Sequence, residues 1–524
     1  MKKILLVIGL CTVALIFGSL QTEAQKVQLA WGDMAKEPTG SEIKKIIGEK
    51  AGEIYVLRFS SAGLLQPTEP YLERYNRKMK LDYLKPLQQK LPNVRERVDF
   101  LDIFMIKGQL VMFSSYYDRK RKNDVVIAHF VDDNGRVNPK FREVGEVESY
   151  KNILTRTRGL VDFEFSQDSS SIMIYHNKPY FRNQAEAYGV KVFDSKLNLQ
   201  WSKDIVLPYD DDLFNVKKYE VGGNGNVYLA GVLFDRSLRT RRRGKPNYEY
   251  LIYAYLDNGA QEKVYKVNLG DKFISDLTFK VADNGDLICA GFYSDRNINL
   301  IKGAYYLRID GESQQVVAQN TKDFSDDFLE EFRRTSKMQR GELYQYDLGE
   351  FILREDGGAV LLAEQFFIRV TESRAPGGMG GSSIDRTYHY NYRDMLVVNI
   401  EPDGAIAWTK KIPKAQVTSD DGGYYSSYAY MISGSQIYIV FNDNPKNLSN
   451  NKDDRVKVMG SPRKSLTTLV VMDLAGNEAK KPLFSNKEQG TVTRTKVCKQ
   501  VAPNKLILLG ERNRKYKFGK LLVN

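Results

Sequence analysis

The chain has 524 residues, with 78 Lys and Arg against 65 Asp and Glu (formal net charge +13), and 42 % of it is hydrophobic. That composition folds and is not that of a disordered chain, and its length calls for several domains or one large repeat architecture. Three Cys and three His argue against a zinc centre, a haem attachment or a dithiol redox site.

Residues 1–24 read as a cleaved secretory leader: Lys2 and Lys3, an apolar run over 4–17, then small and polar residues ending at Ala24. The run is too short to span a bilayer comfortably, and Leu10 before Cys11 argues against lipidation. Removing the leader's two lysines and one glutamate leaves 76 basic against 64 acidic residues, a net charge of +12. The expected location is the periplasm, with secretion or outer-membrane association as the alternative. No later stretch is apolar enough to cross a membrane as a helix. Cys289 and Cys498 lie in apolar, strand-like stretches and read as buried thiols.

From residue 40 onward one pattern recurs: a turn residue, a polar residue, then a short β-branched or aromatic strand. Gly52-Glu53-Ile54-Tyr55-Val56, Gly108-Gln109-Leu110-Val111 and Ser170-Ser171-Ile172-Met173 begin the series. Gly225-Asn226-Val227-Tyr228, Gly285-Asp286-Leu287-Ile288 and Gly357-Gly358-Ala359-Val360 continue it, and Ser435-Gln436-Ile437-Tyr438 and Asn504-Lys505-Leu506-Ile507 complete eight copies, 55 to 78 residues apart. Further strands with Asp/Gly turns follow, as in Ile252-Tyr253-Ala254-Tyr255-Leu256-Asp257-Asn258-Gly259. Each unit therefore reads as four antiparallel strands, a to d. Eight such units predict an all-β, closed β-propeller as one domain over 25–524. The expected blades are 40–92, 94–147, 158–208, 214–270, 273–323, 343–414, 422–486, and 491–524 completed by 26–36. A seven-bladed ring with 40–92 as an accessory piece is the rival.

Trp201 and Trp408 each stand early in a strand d, and Trp31 looks equivalent although no a, b or c precedes it. The C-terminal unit lacks a strand d, so Trp31 and its neighbours are expected to pair with the strand holding Leu521 and Val523 and to close the ring. Asp403-Gly404-Ala405-Ile406-Ala407-Trp408, and more loosely 193–201, resemble the tryptophan repeat of PQQ-like propellers. That group includes quinoprotein dehydrogenases and the non-enzymatic propeller of the outer-membrane β-barrel assembly machinery. The quinoproteins' vicinal Cys pair is absent, so the resemblance implies a scaffold and no cofactor.

The longer connections fall between b and c or between d and the next a, which places them on one face. Loops are expected at 118–124, 235–249, 368–393 and 442–465, and helices at 149–158 and 324–340. Positive charge gathers there: Arg236, Arg239, Arg241, Arg242, Arg243 and Lys245 in one loop, Arg512, Arg514, Lys515 and Lys517 in another. A one-sided basic face suits a protein partner, with an anionic envelope surface as the alternative and nucleic acid excluded by export. Tyr388, Tyr390 and Tyr392 offer an aromatic contact surface.

No nucleophile, phosphate-loop or metal-ligand motif is present. His129, His176 and His389 lie in different units. Asp210, Asp211 and Asp212 are weak calcium candidates that lack the alternating spacing of a calcium loop. The expected function is a non-catalytic binding or scaffold propeller, in its sharper form an accessory subunit of outer-membrane protein secretion or assembly. The alternative is a hydrolase or lyase acting on an anionic polymer at the funnel, with Asp210 to Asp212 and the arginine loop as its working groups.

Overall fold

The computed structural model describes residues 27–523 except 62–67, 88–90, 92–93, 95, 152–155, 159, 179–184, 211, 236–240, 243, 334–337, 340, 377–381 and 449–454. The leader, Asp211, Arg236, Arg239 and Arg243 thus lie outside the described residues.

Runs rich in Val, Ile, Leu and Tyr, broken by Gly or Asn at positive φ, fold into successive antiparallel sheets. Sheet one is Ser41–Lys50, Glu53–Ser61, Thr68–Tyr75 and Leu81–Pro86. Sheet two is Asp99–Ile106, Gln109–Asp118, Asn123–Val131 and Val137–Lys151, extended by Arg156–Arg158. Sheet three is Val161–Phe165, Ser171–Asn177, Ala185–Asp194 and Leu199–Asp210, and sheet four is Phe214–Val221, Val227–Phe234, Tyr248–Leu256 and Gln261–Val267. Sheet five is Phe273–Val281, Leu287–Ser294, Gly303–Ile309 and Val316–Asp323. Sheet six is Asp347–Leu353, Ala359–Pro376, Ser382–Ile400 and Ile406–Ile412, with Gln416–Ser419 beside its third strand. Sheet seven is Tyr428–Ser433, Gln436–Asp443, Leu466–Asp473 and Glu478–Ser485. Sheet eight joins Lys499–Ala502, Lys505–Arg512 and Lys515–Val523 to the N-terminal strand Val27–Trp31.

First strands of consecutive sheets lie against one another, whereas fourth strands such as Val316–Asp323 are exposed almost throughout. The first strands are therefore innermost. Each main apolar cluster joins two consecutive sheets: Leu57 and Met112 between one and two, Val192 and Leu229 between three and four, Val397 and Ile439 between six and seven. Ile43, Ile46 and Ile54 of sheet one also pack on Ile507, Leu509 and Phe518 of sheet eight. Sheets stacked face to face around a common axis are the architecture of a β-propeller.

Polar bonds near the axis tie the sheets as well. Lys45 pairs with Asp102 at 2.6 Å, Tyr219 donates to Asp162, and Lys280 pairs with Glu220 at 2.8 Å. Tyr430 donates to Glu350 at 3.0 Å, and the Gln500 amide clasps both the N–H and the carbonyl of Ile432. Glu220 is buried, and it is tolerable there because Lys280 of the adjacent sheet answers its charge; the other groups are part-exposed or exposed.

Trp201 Nε1 donates to the Gly225 carbonyl at 2.9 Å and Trp408 Nε1 to that of Leu474 at 2.8 Å, each reaching the turns of the next sheet. Gly259, at φ 78°, makes room: a Cβ there would come within 2.9 Å of the Trp201 ring. Trp31 is not equivalent. Its strand does pair as a fourth strand, with Val27 opposite Val523 and Leu29 opposite Leu521. Its indole, however, seats on Gly519 and turns back to the preceding sheet, edge-on to Phe484 at 5.3 Å. Register decides this, because Trp31 lies opposite Gly519, on the face that carries Leu521 and Val523 toward sheet seven.

Three local expectations are corrected. The helix expected over 149–158 is not what its described residues form: Ser149–Lys151 pairs with Arg156–Arg158 as a strand extension. Among the described residues of 324–340 the expected helix covers Asp326–Arg333, opened by Ser325 and burying Phe328, Leu329 and Phe332. Met338–Gln339 and Glu342–Tyr344 instead form a hairpin turned by Gly341 at φ 86°. Cys498 follows a 3-10 turn and precedes its strand; it is half-buried, whereas Cys289 is buried within one.

Candidate functional site

Because the strands alternate in direction, every second-to-third connection and every link to the next sheet leaves from the same end. On this end, residues 368–393 do not form the expected loop. The second and third strands of sheet six run on as a two-stranded arm, paired from Ala359↔Ile400 to Pro376↔Ser382. The innermost strand accompanies it only to Glu364, the outer strand to Met395, and Gln416–Ser419 covers His389 to Tyr392. Among the described residues, 366–376 therefore carry one edge without a strand partner and 382–387 the other, Tyr388 being capped by Asp420 through both its N–H and its carbonyl. Aromatic and β-branched residues hold the ladder together: Phe366 packs at a tilt of 35° on Tyr392, ring centres 4.5 Å apart, Ile368 faces Tyr390, and Val370 faces Tyr388. Phe367, Ile368, Val370, Ile384 and Tyr388 are each 41–50 % exposed, an unusual concentration on one projection. His389 is clasped by two hydroxyls, Thr371 Oγ1 at Nε2 and Ser419 Oγ at Nδ1, both 2.9 Å, and so staples the arm to its neighbour.

The basic residues lie on the same end. Arg241 and Arg242 form a short backbone ladder with Lys245 and Pro246. Lys245 ion-pairs with Asp271 at 2.9 Å beside a cavity of about 460 Å3 whose other lysines, Lys266 and Lys272, are also paired, with Glu249 and Asp295. Residues 118–124 form a tight turn and no long loop, and Arg121 there is matched by Glu143 at 2.9 Å and Glu146 at 2.5 Å. Asn513 and Arg514, at φ 50° and 58°, make a two-residue hairpin from which Arg514 donates to Thr39. Lys515 is exposed, Arg512 is half-buried, and Lys517 is buried, bonded to Gln489 at 2.8 Å. Part of the loop charge is thus answered internally.

The same end opens onto the axis. A cavity of about 550 Å3 is lined by Asp347 and Glu350 of sheet six, Tyr428 and Tyr430 of sheet seven, and Lys496 and Lys499 at sheet eight. Its floor holds Glu364, which takes bonds from the fully buried Lys414 and from Ser427 at 2.6 Å. Burial, with Glu364 nearby, holds Asp347 above the usual carboxylate range, and burial holds Lys496 and Lys499 below the usual lysine range. Lys496 donates to the Tyr392 hydroxyl at 2.7 Å. Burial pushes that phenol up to about 12, so it is neutral near pH 7 and accepts the bond; it is not a poised base.

Asp210 and Asp212 are exposed, at the end of an outer strand and in the link that follows, away from the axial strands. The sequence placed them at the funnel; strand order puts Asp210 on the rim of its sheet. Among the described residues no group of three or more His, Cys, Asp and Glu is placed to hold a metal ion. His129 is buried in the third strand of sheet two, His176 half-buried at the end of the second strand of sheet three, and His389 stands on the arm of sheet six. No helix among the described residues is long and apolar enough to cross a membrane. Sequence reasoning missed the axial cavity because its residues come from three separate units; alternate polar positions on the inner strands were the available signal.

No protein-family model matches the chain, and no curated protein matches it. Among solved structures it is similar to the β-propeller domain of the Trilobed protease from Pyrococcus furiosus, at 9 % identity over 86 % of this chain and 97 % of that one, TM-score 0.36. It is similar also to the WD40 domain of SCAP from fission yeast, at 7 % identity over 96 % of each chain, TM-score 0.39. A third likeness is to Pyrococcus horikoshii acylaminoacyl peptidase, at 10 % identity over 92 % of this chain and 60 % of that one, TM-score 0.37. At such identities and TM-scores they say nothing of what this chain binds.

Proposed function

We propose that the protein is a non-catalytic binding or scaffold propeller that engages a protein partner through the end bearing the arm and the basic loops. In this reading residues 25–524 form one closed ring of eight blades with PQQ-like tryptophan repeats, and the N-terminal strand completes the last blade. The chain is exported to the periplasm after loss of residues 1–24 and serves there as an accessory of outer-membrane protein secretion or assembly. The carrying observation is the arm: an exposed apolar ladder with unpaired edges has the chemistry of a partner surface. The loop cations add steering toward an acidic protein or envelope surface.

Affinity purification from membranes tests this with two proteins side by side: the native chain, and a variant carrying Ile368→Ser, Val370→Ser and Tyr388→Ser. The native chain should co-purify with a defined partner that the variant loses at an unchanged melting temperature. Recovery of the native chain only as a free monomer would reject the reading.

A further inference from the structure

The axial cavity has walls of opposite sign. Asp347 and Glu350 stand on sheet six, Lys499 on sheet eight and Lys496 in the 3-10 turn before it, and Tyr428 and Tyr430 belong to the intervening sheet. None of these four charges is used up by the fold. The Asp347 carboxylate accepts no hydrogen bond from the described residues; its neighbours only repel its charge. Glu350 takes one bond, from Tyr430 at 3.0 Å. Lys496 spends two of its three N–H donors, on Tyr392 and on the Gly422 carbonyl at 3.2 Å. Lys499 spends one, on the Ile47 carbonyl at 2.8 Å. The floor is already neutral, because Glu364 and Lys414 answer each other.

A ligand of single charge would satisfy one wall and be repelled by the other. A divalent cation lacks a third ligand among the described residues. A zwitterion satisfies both walls. Lys496 is bonded to Tyr392 of sheet six, so only Lys499, which reaches to the Ile47 carbonyl of sheet one, stands across the intervening sheet from the carboxylates. A ligand that touches both Asp347 and Lys499 has to be longer than a free amino acid, and an extended chain gains about 3.3–3.6 Å per residue. A cavity of about 550 Å3 is of the size that holds such small ligands, and the tyrosines offer flat, apolar faces with polar tips to its backbone.

We propose that this cavity binds a short peptide of two to four residues with free termini, its ammonium toward Asp347 and Glu350 and its carboxylate toward Lys496 and Lys499. Such a ligand places a partner on each unspent group and favours the charged form of the Asp347 carboxyl and of both lysines.

Isothermal titration calorimetry on the full chain tests it with trialanine, N-acetyl-trialanine, trialanine amide and alanine. Trialanine should bind with a Kd of about 1 mM or tighter, and blocking either terminus, or shortening to alanine, should weaken binding about tenfold or more. Asp347→Asn should weaken trialanine about tenfold while leaving N-acetyl-trialanine unchanged, and Lys499→Gln should do the same for the amide. Melting temperatures of both variants report that they fold. Absence of trialanine binding at that level, equal binding of the blocked peptides, or indifference to both substitutions overturns the proposal. Ile368, Val370 and Tyr388 lie outside the cavity lining, so their substitution to Ser leaves this binding unchanged and its failure is separate from failure of the partner reading.

Discussion

Leu29 lies directly opposite Leu521 in an antiparallel pair that joins the first described strand to the last. Leu521 is fully buried, and with Val523 it packs on sheet seven through Tyr438 and Val440. The two ends of the chain therefore share one sheet, and the N-terminal strand covers what would be a bare edge of Lys515–Val523.

Deleting residues 25–36 should lower the melting temperature markedly, because it uncovers that edge together with Trp31's packing. Leu521→Ala should cost about 2–5 kcal/mol, the usual range for a buried leucine truncated to alanine. Chemical denaturation of both variants measures this. An unchanged midpoint for the deletion would refute closure of the ring by the N-terminal strand.

The tryptophans separate by their ring nitrogens. Trp201→Phe and Trp408→Phe each break a bond to a carbonyl in the next sheet, and should destabilise by about 1 kcal/mol beyond the lost packing. Trp31 Nε1 is buried with no partner among the described residues. Trp31→Phe should therefore cost less than the other two, since it removes an unsatisfied donor. Equal losses for all three would show that the contrast in bonding has no energetic weight.

Much of this was legible in the sequence. A polar residue followed by an apolar strand, repeated eight times, marks second strands such as Val227–Phe234 because they are buried on both faces and flanked by turn glycines. The arm was not legible. Phe366, Phe367, Ile368 and Val370 carry a strand's residue types, yet they exceed the length of every other second strand, and the glycines of 377–381 suggest a loop. Trp31's direction depends on register against Gly519, which no local pattern sets. The axial cavity depends on lysines and carboxylates more than a hundred residues apart, as Asp347 and Lys499 are, and only strand order brings them together.

Glu164 supplies a pH dependence. On the axial strand of sheet three, burial and the neighbouring Glu220 push its carboxyl up to about 7 from 4.5. The folded state then holds a proton that the unfolded chain has released, so stability falls as pH rises from 4.5 through about 7. Glu164→Gln removes the group that titrates. Thermal scans across that window should show a smaller loss of stability with rising pH in the variant than in the native chain; parallel curves would remove Glu164 as the cause.

Lys414 and Glu364 form the buried pair beneath the cavity, with Lys414 fully inaccessible. Lys414→Met strands a buried carboxylate that retains only Ser427 and should destabilise by about 3–5 kcal/mol. Adding Glu364→Gln should recover part of that loss, because the remaining amide carries no charge. A double variant as unstable as the single one would mean that Lys414 acts through packing alone.

The basic loops are the feature that folding explains least. Nothing in the strands requires Arg241-Arg242-Arg243, and clustered cations repel one another unless a partner neutralises them. Among the described residues Lys245 has Asp271 and Arg121 has two glutamates, so part of the loop charge is answered within the fold. Partner or membrane binding should weaken between low and moderate salt, as screening over about 8–10 Å demands of exposed charges. Replacing Arg239, Arg241, Arg242 and Arg243 with Ser should weaken it further at an unchanged melting temperature. Sedimentation with anionic vesicles and partner capture, each across a salt series, read the two arms. Binding that survives both salt and substitution would assign the loops to solubility and leave recognition to the exposed ladder of Ile368, Val370 and Tyr388.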